Sequence, residues 1–114
     1  MNQNKKKELG ISIIGPSSHL EGQFVFQDNL RIEGSIQGEL KVAGELLVAH
    51  TGSFRGKAQT GSAYIAGNFQ GDLIVNTKTV ITAQGKLEGT LQTQLLTIEE
   101  GAHLSGACQM TPQP

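Results

Sequence analysis

Apolar and polar residues alternate in short stretches along this chain, and a glycine interrupts each stretch at the same place. The recurring unit reads apolar, any residue, glycine, any residue, apolar. It occurs six times, at Leu20–Phe24, Ile36–Leu40, Phe54–Ala58, Phe69–Leu73, Leu87–Leu91 and Leu104–Cys108. The central glycines lie 16, 18, 15, 18 and 17 residues apart. Two residues after each glycine stand Phe24, Leu40, Ala58, Leu73, Leu91 and Cys108; four after stand Phe26, Val42, Thr60, Val75, Thr93 and Met110. Eight before stand Ile14, Leu30, Val48, Ala63, Ile81 and Ile98. Positions between these columns are mostly polar, as in Glu21, Gln37, Arg55, Gln70 and Glu88. Alternation of period two is the signature of a strand with one face buried.

A repeat of about 17 residues is too short for paired-helix repeats, which need 33 or more. It fits one coil of a β-solenoid with about three short strands. The pattern therefore predicts an all-β fold: one parallel β-helix of about six coils. At the ~4.8 Å strand spacing the rod is roughly 25–30 Å long. The crossover rule for parallel strands favours a right-handed coil. Each repeat glycine falls between two inward positions, so by parity its side chain would point into a narrow corner, which explains its absence. A second set, Gly34, Gly52, Gly67 and Gly85, lies four residues earlier and marks the preceding turn.

A solenoid has two open ends, each with unpaired backbone groups and a slice of apolar core, and soluble solenoids cap them. This sequence offers no cap. Residues 1–10 read as a disordered basic tail, 11–110 as the β-helix, and 111–114 as a short disordered tail. The ends are then expected to cover one another. Ile11, Ile13 and Ile14 are the candidate contacts at one end; Leu104, Cys108 and Met110 are those at the other. The outward columns are too mixed to mark a docking patch.

Composition agrees with stacked strands rather than a rounded core. The 114 residues include 15 Gly and only 4 Phe, 1 Tyr and no Trp. A formal charge of −1 argues against nucleic-acid binding, which needs a basic field. The single cysteine, Cys108, excludes an internal disulfide framework, fits a reducing compartment, and is read as a small core residue. No apolar run reaches the length of a membrane span. The start, with Lys5, Lys6 and Lys7, lacks the apolar core of a signal peptide.

Candidate chemistry is sparse. His19 and His103 share a register in the first and last coils, too far apart for one metal. His50 shares the register of Ile32 and Ile65, or else sits at a turn. No Cys/His cluster has ligand spacing, so no metal is expected. Glu99 and Glu100 precede a glycine turn and are read as solvated. Gly61-Ser62-Ala63 lacks the Lys-Ser/Thr of a phosphate loop, so no nucleotide and no other cofactor is expected. The threonines occupy different columns, against a flat ice-binding array. A hexapeptide-type acyltransferase would need coils of three equal sixes, unlike these. A solenoid adaptor that does not polymerise is the other alternative.

Ile13-Ile14-Gly15-Pro16, the six glycine-centred repeats and Ile98-Glu99-Glu100-Gly101-Ala102 together resemble the bactofilin family, over roughly residues 11–110. The resemblance implies a right-handed, roughly triangular β-helix without enzymatic activity. It implies filaments that form without nucleotide, lack polarity and join through their end coils. It also implies a cytoplasmic scaffold, often at the inner face of the membrane, that recruits cell-wall enzymes or other envelope proteins and so affects cell shape. Family membrane binding is often placed in an N-terminal tail with a bulky apolar residue. Met1 to Lys7 departs from this, with no Phe, Leu or Ile. Lys5, Lys6 and Lys7 would add weak attraction to anionic lipid, about 1 kcal/mol each.

Overall fold

The computed structural model describes residues 11–110. They form ten strands: β1 (Ile11–Ile14), β2 (His19–Phe26), β3 (Asn29–Ile32), β4 (Ser35–Val48), β5 (Ser53–Ile65), β6 (Asn68–Val75), β7 (Lys78–Ile81), β8 (Lys86–Thr93), β9 (Leu95–Ile98) and β10 (His103–Met110). Every pairing is parallel. The chain is a β-solenoid of about six coils. Each coil holds a short arm of about four residues and a long arm of eight. The long arms stack as β2, the starts of β4 and β5, β6, β8 and β10. The short arms stack as β1, β3, the ends of β4 and β5, β7 and β9.

The glycine column explains the bend in each long arm, though not through the core. All six repeat glycines have φ between 117° and 135°, which an L-residue avoids. A Cβ on Gly38 would overlap the carbonyl oxygen of Gly22 in the coil before, and Gly56, Gly71, Gly89 and Gly106 repeat this relation. The missing side chain would therefore point along the rod axis, not inward as parity suggests. The column exists because five glycines each lie flat on the backbone of another. The second set behaves similarly: a Cβ on Gly52 or Gly85 would strike carbonyls of the preceding coil.

Corners absorb the uneven repeat length. Four residues join the short arm to the long arm after Ile14, Val48, Ile81 and Ile98, but only two after Ile32 and Ile65. Each four-residue corner closes with a backbone hydrogen bond: Ser18 N–H to Gly15 O at 3.0 Å, Gly52 to Ala49 at 2.7 Å, Gly85 to Thr82 at 2.8 Å, Ala102 to Glu99 at 3.0 Å. This is the geometry of a β-turn. His50 sits in such a corner and is exposed. Between long arm and next short arm, one residue suffices at Gly61 and Gln94. There the last inward residue is threonine. Thr60 and Thr93 donate their hydroxyls at 3.0 Å to the carbonyls of Ser62 and Leu95, across the tight corner. Where two residues make the corner, the equivalent positions are Phe26, Val42 and Val75.

These corners correct one predicted column. Counting eight back from each glycine joins Leu30 and Ala63 to Ile14, Val48, Ile81 and Ile98. The true column is Ile14, Ile32, Val48, Ile65, Ile81, Ile98, and beside it runs Ser12, Leu30, Leu46, Ala63, Thr79, Leu96. A fixed offset fails because the second and fourth coils have the shorter corner.

The core is thus five columns deep in side chains and one chain thick. Bulk is balanced within coils: Phe54 shares a coil with Ala58, and Phe69 shares one with Ala63. The two rings stack with centroids 4.9 Å apart and planes at 18°. Buried Thr79 donates to the Thr93 hydroxyl at 3.1 Å, so both core hydroxyls are satisfied. Phe69→Ala is expected to cost about 3–5 kcal/mol, because stacked coils cannot collapse into the gap. A thermal melt followed by circular dichroism measures this.

Candidate functional site at the open ends

The inward columns run without interruption to both ends, where no described residue covers them. In the middle coils their members are at most 4% exposed, whereas Ile98 is 46% and Met110 51% exposed in the last coil. Strand pairing stops there too. Among the described residues β1 pairs with β3 alone and β2 with β4 alone; β9 pairs with β7 alone and β10 with β8 alone. Each end therefore presents a short arm and a long arm whose outer N–H and C=O groups lack strand partners, around an apolar slice.

At the last coil, the expected residues fall where the repeat places them. Leu104 continues the column of Leu87, Cys108 that of Leu91 and Met110 that of Thr93. Leu104 is half-buried against the core; Cys108 and Met110 are exposed. Cys108 has core register and solvent contact together, because no described coil follows it. Leu96 and Ile98 belong to the same slice and were absent from the sequence candidates.

At the first coil the picture shifts. Ile14 heads the column of Ile32 and is partly buried. Ile13 pairs with Arg31, lies on the outward parity and is 57% exposed on the side of the rod. Ile11 pairs with Asn29. The apolar slice here is built by Ile14 with Leu20, Phe24 and Phe26, each packed against the core. These three residues were legible in the repeat as first members of their columns. Gly22 belongs to this end as well. Among the described residues a Cβ there would meet only Phe24 Cζ, at 3.9 Å, because no described coil lies before it. Lys5, Lys6 and Lys7 lie outside the described residues.

Part of the side surface is polar and laddered. Arg55 Nε donates to Gln70 at 3.2 Å, and Gln70 donates to Glu88 at 3.1 Å, up one side. His19 Nε2 lies 3.4 Å from Glu21, at the opposite end from His103. Among the described residues, no group of three or more His, Cys, Asp or Glu is arranged to hold a metal ion. None of the described residues forms a helix long and apolar enough to cross a membrane.

Comparison with known proteins agrees with this geometry. A curated relative, bactofilin BacP of Myxococcus xanthus (strain DK1622), is 24% identical over 110 residues, covering 91% of this chain and 46% of BacP. The chain thus spans about half of BacP's length. Bactofilin BacO of the same organism is 23% identical over 99 residues, covering 87% of this chain and 79% of BacO. No solved structure matches significantly. The family model described as polymer-forming cytoskeletal, the bactofilin model, matches residues 12–109. Those residues are the solenoid itself, from its first coil to its last, and the chain belongs to the bactofilin family.

Proposed function

We propose that this solenoid polymerises end to end, its two open slices covering one another so that coil stacks on coil between molecules as within one. The observation that carries this reading is the rise in exposure of the inward columns at the terminal coils. Full burial of an aliphatic side chain is worth about 1.5–3 kcal/mol, and the end residues have gained only part of it. Stacking also gives the edge strands partners, which removes the aggregation hazard of an open sheet edge. Since the contact is apolar packing plus backbone pairing, no nucleotide is required. Likeness to bactofilins supports joints between like ends, giving a filament without polarity. It also supports a cytoplasmic scaffold role, recruiting or positioning cell-envelope and cell-shape proteins along the sides. Lys5, Lys6 and Lys7 supply a weak contact with the inner membrane face.

Negative-stain electron microscopy of the full chain without nucleotide, at two salt concentrations, tests the reading. Thin unbranched fibres are the expected result; uniform small particles at both salts would overturn it. Met110→Arg is expected to keep the far-ultraviolet circular dichroism of the wild type and to lose long fibres. The change places an ion on a surface that must shed water. Wild-type fibre length in this variant would mean the last coil is not a joint.

A further inference from the structure

Each long arm is a seat for the next. Five such contacts occur in the molecule: β4 on β2, β5 on β4, β6 on β5, β8 on β6 and β10 on β8, always parallel and glycine to glycine. The stacking has a direction. A Cβ on Gly38, Gly56, Gly71, Gly89 or Gly106 would strike the backbone of the glycine in the coil before it. A strand that lies on a long arm from the later side must therefore carry glycine at that register. β10 offers the same seat, and no described residue occupies it. Leu104 is half-buried there, and Met110 is 51% exposed. Cys108 is smaller than the Leu91 it stacks on, which leaves room above it.

We infer that the long arm of the last described coil also takes a free strand from a different polypeptide: an extended segment reading apolar, any residue, glycine, any residue, apolar, any residue, apolar. The molecule itself identifies this occupant, because strands built around that glycine sit on the other long arms. The backbone of the segment pairs with the open edge of β10. Its first apolar side chain covers Leu104, its second Cys108 and its third Met110, as those residues cover Leu87, Leu91 and Thr93. In strand addition of this kind, main-chain bonds supply affinity and alternate side chains supply selectivity. Here glycine is a further filter, since any other residue at its register would collide with Gly106. The first coil applies no such filter. A strand laid before β2 meets Gly22 on the side where its Cβ is missing, and its own Cβ points away.

The seated segment uses residues that the end-to-end joint also uses. It therefore stops growth at that end, and a second protein carrying it sets filament length. Peptide binding to the separate molecule reports this seat, whereas filament formation without peptide reports end-to-end stacking, so the two readings fail separately.

The probe is a blocked, fluorescent peptide copying β6, Asn68–Val75, whose inward residues are Phe69, Leu73 and Val75. Fluorescence anisotropy against the full chain, diluted until filaments are absent, is expected to show saturable binding. The peptide carrying Gly71→Ala is expected to bind more than about tenfold more weakly, because an L-residue at this φ is strained and its methyl group meets Gly106. Alanine is no poorer a strand former than glycine, so an unselective edge would keep the alanine peptide. The Met110→Arg chain, its fold checked by circular dichroism, is expected to lose the glycine peptide. At filament-forming concentrations the glycine peptide, and not the alanine one, is expected to shorten the fibres seen by negative-stain microscopy. Absence of saturable binding would overturn the inference and leave the edge to a second copy of this chain. Equal binding of the two peptides, or undiminished binding to folded Met110→Arg, would overturn it as well.

Discussion

Gly71→Ala will abolish the cooperative unfolding transition of this protein, whereas Gly22→Ala will only lower its midpoint. Both glycines have positive φ, 123° and 135°, and an L-residue in such a region pays about 1–3 kcal/mol. They differ in what lies beyond the absent Cβ. At Gly71 it is the backbone of Gly56, held by strand pairing on both sides; at Gly22, among the described residues, it is only the tip of the Phe24 ring, at 3.9 Å. A backbone cannot rotate away as a side chain can. Relief requires two coils to part, and that breaks the ladder for the whole long arm. A cost above about 5 kcal/mol is exceptional for one methyl group, and it equals the total stability of many small domains, about 5–15 kcal/mol. Thermal melts by circular dichroism separate the two cases. An intact transition in Gly71→Ala would show that the coils are less closely stacked than described. Gly22→Ala has a second readout, because its methyl group projects from the first coil. Shortened filaments with a preserved fold are the expected result.

The same residue change in one column is expected to give opposite phenotypes at its middle and its end. Leu87 and Leu104 are register partners, but Leu87 is fully buried and Leu104, in the last described coil, half-buried. Leu87→Glu puts a carboxylate among Phe69, Leu104 and the other inward side chains, where it has no partner; a charge so placed costs several kcal/mol or forces protonation. Loss of the folded state is expected. In Leu104→Glu the carboxylate reaches water past the last coil, so the fold survives with a loss of about 1 kcal/mol of transfer energy. Assembly is lost, since stacking would bury the same charge. Circular dichroism and microscopy on both variants make the comparison. Filaments of wild-type length from Leu104→Glu would remove the last coil from the joint.

How much of this was visible in the sequence depends on distance from the glycine column. The columns of Leu20, Phe24 and Phe26 were legible because the long arm has constant length around its glycine. The short arm was not. Corners of four or two residues shift it, so Ile32 and Ile65 hid behind Leu30 and Ala63. The same shift hid one outward column of the short arms. Leu47, Tyr64 and Val80 stand nine, seven and nine residues before their glycines, and no fixed offset aligns them. Ile13 neighbours inward Ile14 in one strand, so strand parity turns it to the side of the rod. The reason for the glycines was also misjudged, since sequence parity knows inside and outside but has no axis along the rod. The threonines at 60 and 93 carried a signal in plain view: each precedes a one-residue corner that its hydroxyl bridges.

Variable corners also make the molecule a display rack. Chain length is spent at the corners, while the columns alone meter the core, so residues added to a corner lengthen a loop without shifting any rung. The four-residue corners at Gly15–Ser18, Ala49–Gly52 and Thr82–Gly85 recur on alternate coils along one edge. A peptide spliced between His50 and Thr51, and another between Ala83 and Gln84, would stand about 10 Å apart along the rod. In a filament every molecule repeats that pair of marks, so a chain of 114 residues becomes a rack with one such pair per subunit.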